Sequence, residues 1–287
     1  MRIALTRSIT QGVAGMALFA AGAISASPVW ADCGTVDAAC EIDSGTYHIA
    51  LPERAGRARI PAVMFLHGYG SSGAAVLRNE TMISELTDRG YAVIAPTALP
   101  REEDGPRSWA FLSSFGRRDE GAFFEDVMGD VAGRFNVDQE DVVLAGFSAG
   151  GFMTVYLACA DPDQFRAYAP VSGGFWRPQP ESCAGPVRLL HTHGWADQVV
   201  PLEGRYIGGG RFQQGDIFAG LELWRQTNEC ATHAPDRRWK AGDQLRRAWD
   251  CGEGRDIELI LVPGGHSVPK GWGNWMLDWY EGSDLSQ

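Results

Sequence analysis

The 287-residue chain is 45% hydrophobic and carries 25 basic against 36 acidic residues, a formal net charge of −11. That length and apolar content suffice to bury a large core in one α/β domain. The acidic excess weighs against nucleic acid or an anionic membrane surface as a partner.

At the N-terminus, Arg2 and Arg7 precede an apolar segment over 13–24, and the small residues through Ser25, Ala26 and Ala31 suit a signal peptidase. We expect a signal peptide over 1–31, cleaved after Ala31 with Ala26 as the alternative, and a catalytic domain over 32–287. The apolar segment is short for a membrane anchor, which needs ~20 consecutive apolar residues. Its removal takes two arginines and no acid, leaving 23 basic against 36 acidic residues and a formal charge of −13.

All six cysteines lie beyond the expected cleavage site, and an even count in an oxidising compartment favours disulfides. Of ~15 pairings, the sequential one is expected, Cys33–Cys40, Cys159–Cys183 and Cys230–Cys251, because each bridge then ties a local excursion to an adjoining element. Zinc is disfavoured: no C-x-x-C occurs, and His191-x-His193 has no cysteine nearby. No metal or cofactor is expected.

In chain order, alternation over 46–51 predicts an edge strand, and the apolar runs 62–66 and 91–95 predict buried strands. Between those runs, helical spacing over 74–89 places Val76, Leu77, Ile83 and Leu86 on one face, with Gly90 as the stop. A helix over 123–135, a strand over 141–146 and a helix over 152–160 follow, then strands over 167–171, 187–193 and 257–262. Trp272, Trp275 and Trp279 share one face of a C-terminal helix and read as core. Strands alternating with helices imply a mostly parallel sheet covered on both faces, with active groups at the carboxyl ends of its strands. The long irregular stretches 101–121 and 204–216 are candidates to cover the site.

The strand over 141–146 runs into Gly146-Phe147-Ser148-Ala149-Gly150-Gly151, a G-x-S-x-G turn between strand and helix. Ser148 is the candidate nucleophile. A serine hydroxyl needs a base within hydrogen-bond reach and a carboxylate to orient that base. Asp197 follows the strand 187–193 and His266 follows the strand 257–262, so the order Ser, Asp, His is that of the α/β-hydrolase fold. Asp250 and Asp256 are weaker candidates because both precede the last strand. Backbone N–H groups of Ala149 and Tyr69 are the candidate oxyanion donors, the latter in the turn that opens with His67-Gly68. Trp109, in a long loop, and Trp195, beside Asp197, are candidate walls of a substrate pocket.

Taken together, HGYGSS at 67–72, GFSAGG at 146–151 followed by Cys159 and Asp161-Pro162, the stretch Tyr168-Ala169-Pro170-Val171-Ser172-Gly173, HGWADQVVP at 193–201 and GGH at 264–266 resemble the secreted esterase family that includes polyhydroxybutyrate depolymerases and feruloyl esterases. The resemblance runs from about Cys33 to the C-terminus. It implies hydrolysis of feruloyl-type or hydroxybutyrate-type esters through an acyl-enzyme, without a cofactor, with Ser148 as nucleophile, His266 as base and then acid, and Asp197 as orienting carboxylate. Trp195 and the 204–216 stretch depart from the family pattern and leave the acyl group open. Two other readings carry the same triad order or fold: a serine peptidase of the prolyl-oligopeptidase type, for whose additional domain the chain has no room, and a non-catalytic binding protein, in which one triad member would be expected to be missing.

Overall fold

The computed structural model describes Met1 and residues 33–53 and 58–282. The expected signal peptide and its cleavage sites fall outside the described residues. The first half contains β1 (Cys40–Ile42), β2 (Gly45–Ala50), β3 (Ile60–Leu66), α1 (Gly73–Leu77), α2 (Glu80–Thr87), β4 (Ala92–Pro96), α3 (Glu120–Phe135), β5 (Val137–Phe147) and α4 (Ala149–Ala160). It continues through β6 (Ala167–Val171), β7 (Trp176–Arg177), β8 (Leu189–Gly194), β9 (Arg205–Ile207), β10 (Phe212–Gln214), α5 (Ile217–Thr227), β11 (Arg237–Ala241), β12 (Gln244–Trp249), β13 (Ile257–Val262) and α6 (Trp272–Tyr280).

Among the described residues, ten strands form one sheet in the order β1-β2-β4-β3-β5-β6-β8-β13-β12-β11. The six central strands, β4 to β13, run parallel, and the flanking strands β2 and β12 run antiparallel to them. Because side chains alternate across a strand, β3 sends Met64 and Leu66 into one core and Val63 and Phe65 into the other. Helices α3, α4 and α5 bury their apolar faces in the first core, while α1, α2 and α6 bury theirs in the second. Burial on both faces explains why these strands read as near-continuous apolar runs rather than as alternating ones.

Several elements differ from the expectations. The helix over 74–89 is two helices: α1 ends at Leu77 with Arg78 as its C-cap, and the Asn79 side chain accepts from the Met82 N–H at 3.3 Å, starting α2. The 204–216 stretch is not irregular, because β9 and β10 form a hairpin that joins β7 in a separate three-stranded sheet. The β11–β12 hairpin extends the main sheet and carries a buried Arg246–Glu258 ion pair into β13. Trp272 and Trp279 on α6 are buried, as their spacing suggested.

Among the described residues no helix is long and apolar enough to cross a membrane. The three disulfides are Cys33–Cys40, Cys159–Cys183 and Cys230–Cys251, the sequential pairing. Cys230–Cys251 brackets the β11–β12 hairpin, and Cys159–Cys183 ties the end of α4 to the segment that leads into β8. Non-reducing peptide mapping should recover these three links and no free thiol; a cross-link between Cys40 and Cys230 would contradict the topology. Reduction should lower the melting temperature, since each bridge contributes ~2–4 kcal/mol.

Candidate active site

Ser148 stands at the junction of β5 and α4 with φ 57° and ψ −114°. This sparsely populated backbone region costs ~1–3 kcal/mol and is held by a hydrogen bond from the Ser148 N–H to the Val171 carbonyl at 3.0 Å. The neighbouring glycines are required by contact. A Cβ on Gly150 would stand 2.1 Å from the Leu66 carbonyl oxygen, and one on Gly146 would stand 2.5 Å from the Gly150 carbonyl. The elbow therefore packs backbone against backbone, and its side chain projects from the carboxyl end of the sheet.

His266 follows β13 and Asp197 follows β8, two adjacent parallel strands whose loops are pressed together. A Cβ on Gly194 would stand 2.4 Å from the Gly265 carbonyl oxygen, and the Ala196 N–H donates to the Gly264 carbonyl at 3.0 Å. Across this seam the His266 Nδ1–H donates to Asp197 Oδ2 at 2.7 Å, while Nε2 lies 2.9 Å from Ser148 Oγ, whose proton it accepts. Asp197 Oδ1 accepts from the N–H groups of Val199 and Val200 at 2.9 and 2.8 Å. The Phe147 ring packs on the imidazole at 4.6 Å between centroids. Ser148, Asp197 and His266 are thus brought together. Asp256 instead pairs with Arg188, and Asp250 Oδ1 accepts from the Gly252 N–H.

The Tyr69 and Ala149 N–H groups have no hydrogen-bond partner among the described residues. Gly68 lies against Ser148, where an added Cβ would meet the serine Cβ at 3.6 Å. His67 sets this turn. Its Nε2 accepts from the Ala98 N–H at 3.1 Å, which leaves the proton on Nδ1 to donate to the Gly68 carbonyl at 2.7 Å. The Gly68–Tyr69 peptide unit is therefore held by its carbonyl, fixing the direction of the Tyr69 N–H.

A cleft of about 380 Å³ opens at Ser148, Ala149 and Tyr69 and is walled by Phe111, Phe152, Trp176 and Phe212. The two tryptophans expected to line it do not. Trp109 is fully buried, donating its Nε1–H to the His67 carbonyl at 2.8 Å and packing on the rings of His67 and Phe124. Trp195 is half exposed outside the wall. Trp176 takes the position of aromatic wall because β10 pairs with β7 beside it. The stretches 101–121 and 204–216 do contribute to the cleft, through Phe111 and Phe212.

A serine on a strand-to-helix elbow, with a histidine and a carboxylate delivered by later parallel strands, is the architecture of the α/β-hydrolase fold. The chain belongs to the phospholipase/carboxylesterase family, whose model matches residues 50–207. It is 40% identical over 86 residues to feruloyl esterase C of Emericella nidulans, covering 29% of this chain and 30% of that protein. It is 28% identical over 151 residues to feruloyl esterase D of Neurospora crassa, covering 51% of this chain and 47% of that one. The chain spans about half, or less, of the length of the curated relatives it matches. An acetyl xylan esterase from Aspergillus awamori shares the fold, with a TM-score of 0.61 at 14% identity over 82% of this chain and 93% of that one.

Behind Asp197 lies a polar chain inside the protein. The His193 Nε2–H donates to the Val200 carbonyl at 2.8 Å, so its Nδ1 accepts from His191 Nε2–H at 3.1 Å. Burial pushes both imidazoles below their usual range, His191 the further, and pushes His67 down to about 4. Burial acts to raise the Asp197 carboxyl, but the Val200 and Val199 N–H groups and His266 outweigh it and hold the carboxyl low. A histidine that is harder to protonate folded than unfolded binds fewer protons in the native state, so stability falls as pH drops below ~6.5. The melting temperature should fall between pH 6.5 and about 4. In His191→Gln, which keeps a donor toward His193, that fall should be shallower by up to one proton. The comparison separates the imidazole from Glu120 and Glu258, whose carboxyls burial raises. An unchanged slope would mean that His191 is charged in the native protein.

Proposed function

We propose that the protein is an exported serine esterase that hydrolyses esters of aromatic acids through an acyl-enzyme on Ser148. The observation that carries this reading is the unbroken hydrogen-bond chain from Ser148 through His266 to Asp197 at the mouth of an aromatic cleft. His266 Nε2 takes the Ser148 proton as Oγ attacks the ester carbonyl, and the tetrahedral oxyanion receives the N–H groups of Tyr69 and Ala149. Collapse breaks the bond to the alcohol oxygen, which leaves with the proton from His266. Water then attacks the acyl-enzyme, giving up a proton to His266, and Ser148 is released with the free acid. Asp197, ionised and buried, orients the imidazole and stabilises its protonated form; no step uses a metal or organic cofactor.

Two observations support the finer parts of this reading. The walls formed by Phe111, Phe152, Trp176 and Phe212 suit a planar ring better than a short hydroxyacyl chain, since offset and edge contacts add ~0.5–1.5 kcal/mol per aromatic pair. This favours the feruloyl-type over the hydroxybutyrate-type ester. Three disulfides and the signal-like N-terminus support export.

Ser148→Ala should remain folded and lose hydrolysis of both methyl ferulate and p-nitrophenyl butyrate. His266→Ala should cost nearly as much, and the double variant no more than either single one, because the pair acts as one unit. Asp197→Asn should slow kcat by about 10⁴, as when the base of a protease triad loses its orienting carboxylate. Trp176→Ala should lose more kcat/KM on the ferulate ester than on the butyrate. Multiplicative losses at Ser148 and His266, or residual turnover in folded Ser148→Ala, would overturn the mechanism.

A further inference from the structure

The cleft has a feature that hydrolysis of a neutral ester does not use. Arg101 and Arg205 both line it, and no aspartate or glutamate does. Glu102, Glu103 and Asp104 follow Arg101 in sequence but are exposed and lie off the wall. Among the described residues neither arginine has a carboxylate partner within 4.0 Å. On a chain of net charge −11 this is a local patch of the opposite sign, enclosed by low-dielectric aromatic walls that strengthen its field.

Arg101 is placed between the reaction centre and the aromatic wall. Its guanidinium lies 4.2 Å from the centroid of Phe115 and 5.4 Å from that of Tyr69, the residue offering the oxyanion N–H. Phe115 in turn contacts Phe111, Trp176 and Phe212, with centroids 5.3 to 5.7 Å apart. Arg101 Nη2 makes one long hydrogen bond of 3.4 Å to Ser108 Oγ, and the buried Nε–H has no acceptor. A buried donor without a partner is costly to leave unmade. Arg205, exposed at the mouth, donates from Nε to Gln214 at 3.3 Å, and its other side-chain donors have no partner among the described residues.

We propose that this cleft selects esters of aromatic acids that carry a second, ionised carboxylate, received by the planar fork of Arg101 with Arg205 at the entrance. The inference rests on the esterase reading above and narrows its substrate class. A guanidinium stacked on a ring presents its N–H edge sideways, the geometry that a carboxylate accepts in two parallel bonds. The aromatic wall holds the intervening ring, and the ester carbonyl reaches Ser148. A neutral acyl group of the same shape fills the cleft but leaves the Arg101 donors unmatched.

The test compares methyl 4-carboxycinnamate with its uncharged isostere methyl 4-carbamoylcinnamate, using p-nitrophenyl acetate as a small reference ester. In the wild type, kcat/KM should favour the carboxylate by about tenfold or more at low salt, mainly through KM, as expected for a charge-assisted pair. The preference should shrink as salt is added. Arg101→Gln should bring the ratio close to one, Arg101→Lys should keep part of it, and the exposed Arg205→Gln should reduce it less. Should Arg101→Gln not fold, binding of 4-carboxycinnamate against 4-carbamoylcinnamate to Ser148→Ala and to Ser148→Ala/Arg205→Gln gives the same comparison without turnover. Equal kcat/KM for the two cinnamates in the wild type, or a preference that survives in folded Arg101→Gln, would overturn the inference while leaving the esterase intact. Turnover of p-nitrophenyl acetate but of neither cinnamate would overturn the inference together with the aromatic-acid part of the proposed function, leaving the esterase. Absence of turnover on all three esters would overturn the esterase reading itself.

Discussion

The backbone of Ser148 is the constraint on which the rest of the structure depends. Its φ of 57° and ψ of −114° are unfavourable for a residue with a side chain, and they persist only because β5 and α4 leave that junction no other path. The glycines on either side allow it: α4 starts so close to β3 that Gly150 lies against the Leu66 carbonyl, and Gly151 lies against Val171 of β6. The helix is therefore wedged between two strands, and the serine is raised above the sheet as a consequence of the packing.

Parallel strands then deliver the remaining groups. Because β8 and β13 run side by side in the same direction, their carboxyl-end loops meet, and the Gly194–Gly265 contact brings Asp197 and His266 into one hydrogen-bonded line. A carboxylate buried in this way is costly unless its oxygens are satisfied. Two backbone N–H groups and an imidazole meet that need, and they hold the carboxyl ionised. The candidate oxyanion turn is fixed from the other side, where His67, neutral through burial, grips the Gly68 carbonyl. The candidate triad is thus positioned by rigid elements, while the surrounding cleft draws on α4, the small β7-β10-β9 sheet and the 101–121 loop.

Much of this was legible in the amino-acid sequence because it follows from local rules. Apolar runs ending in Gly, Pro or His marked the central strands, the G-x-S-x-G turn marked the elbow, and the placement of Asp197 and His266 after strands marked their convergence. The disulfides followed from tying each excursion to its neighbour. What escaped depends on contacts distant in sequence. Trp109 reads as a loop residue, and nothing local shows that His67 offers its indole an acceptor and Phe124 a packing partner. Trp176 was overlooked because β7 is only two residues long and exists through pairing with β10. The break between α1 and α2 did have a local signal, Asn79 as a cap, but the apolar spacing running across it was the stronger pattern. The chemistry of Arg101 was hidden for the same reason as Trp176: its ring neighbours Tyr69 and Phe115 come from two separate stretches of the chain, and Phe115 packs on Trp176 and Phe212 from two more.

The most direct measurement of the central claim is intact-protein and peptide mass spectrometry after treatment with a fluorophosphonate that phosphonylates activated serines. One phosphonyl group should be gained per chain, on the peptide containing Ser148, with the rate falling steeply in folded His266→Ala. Labelling of another serine, or labelling of Ser148 at an unchanged rate without His266, would contradict a nucleophile activated by the Ser148–His266–Asp197 line.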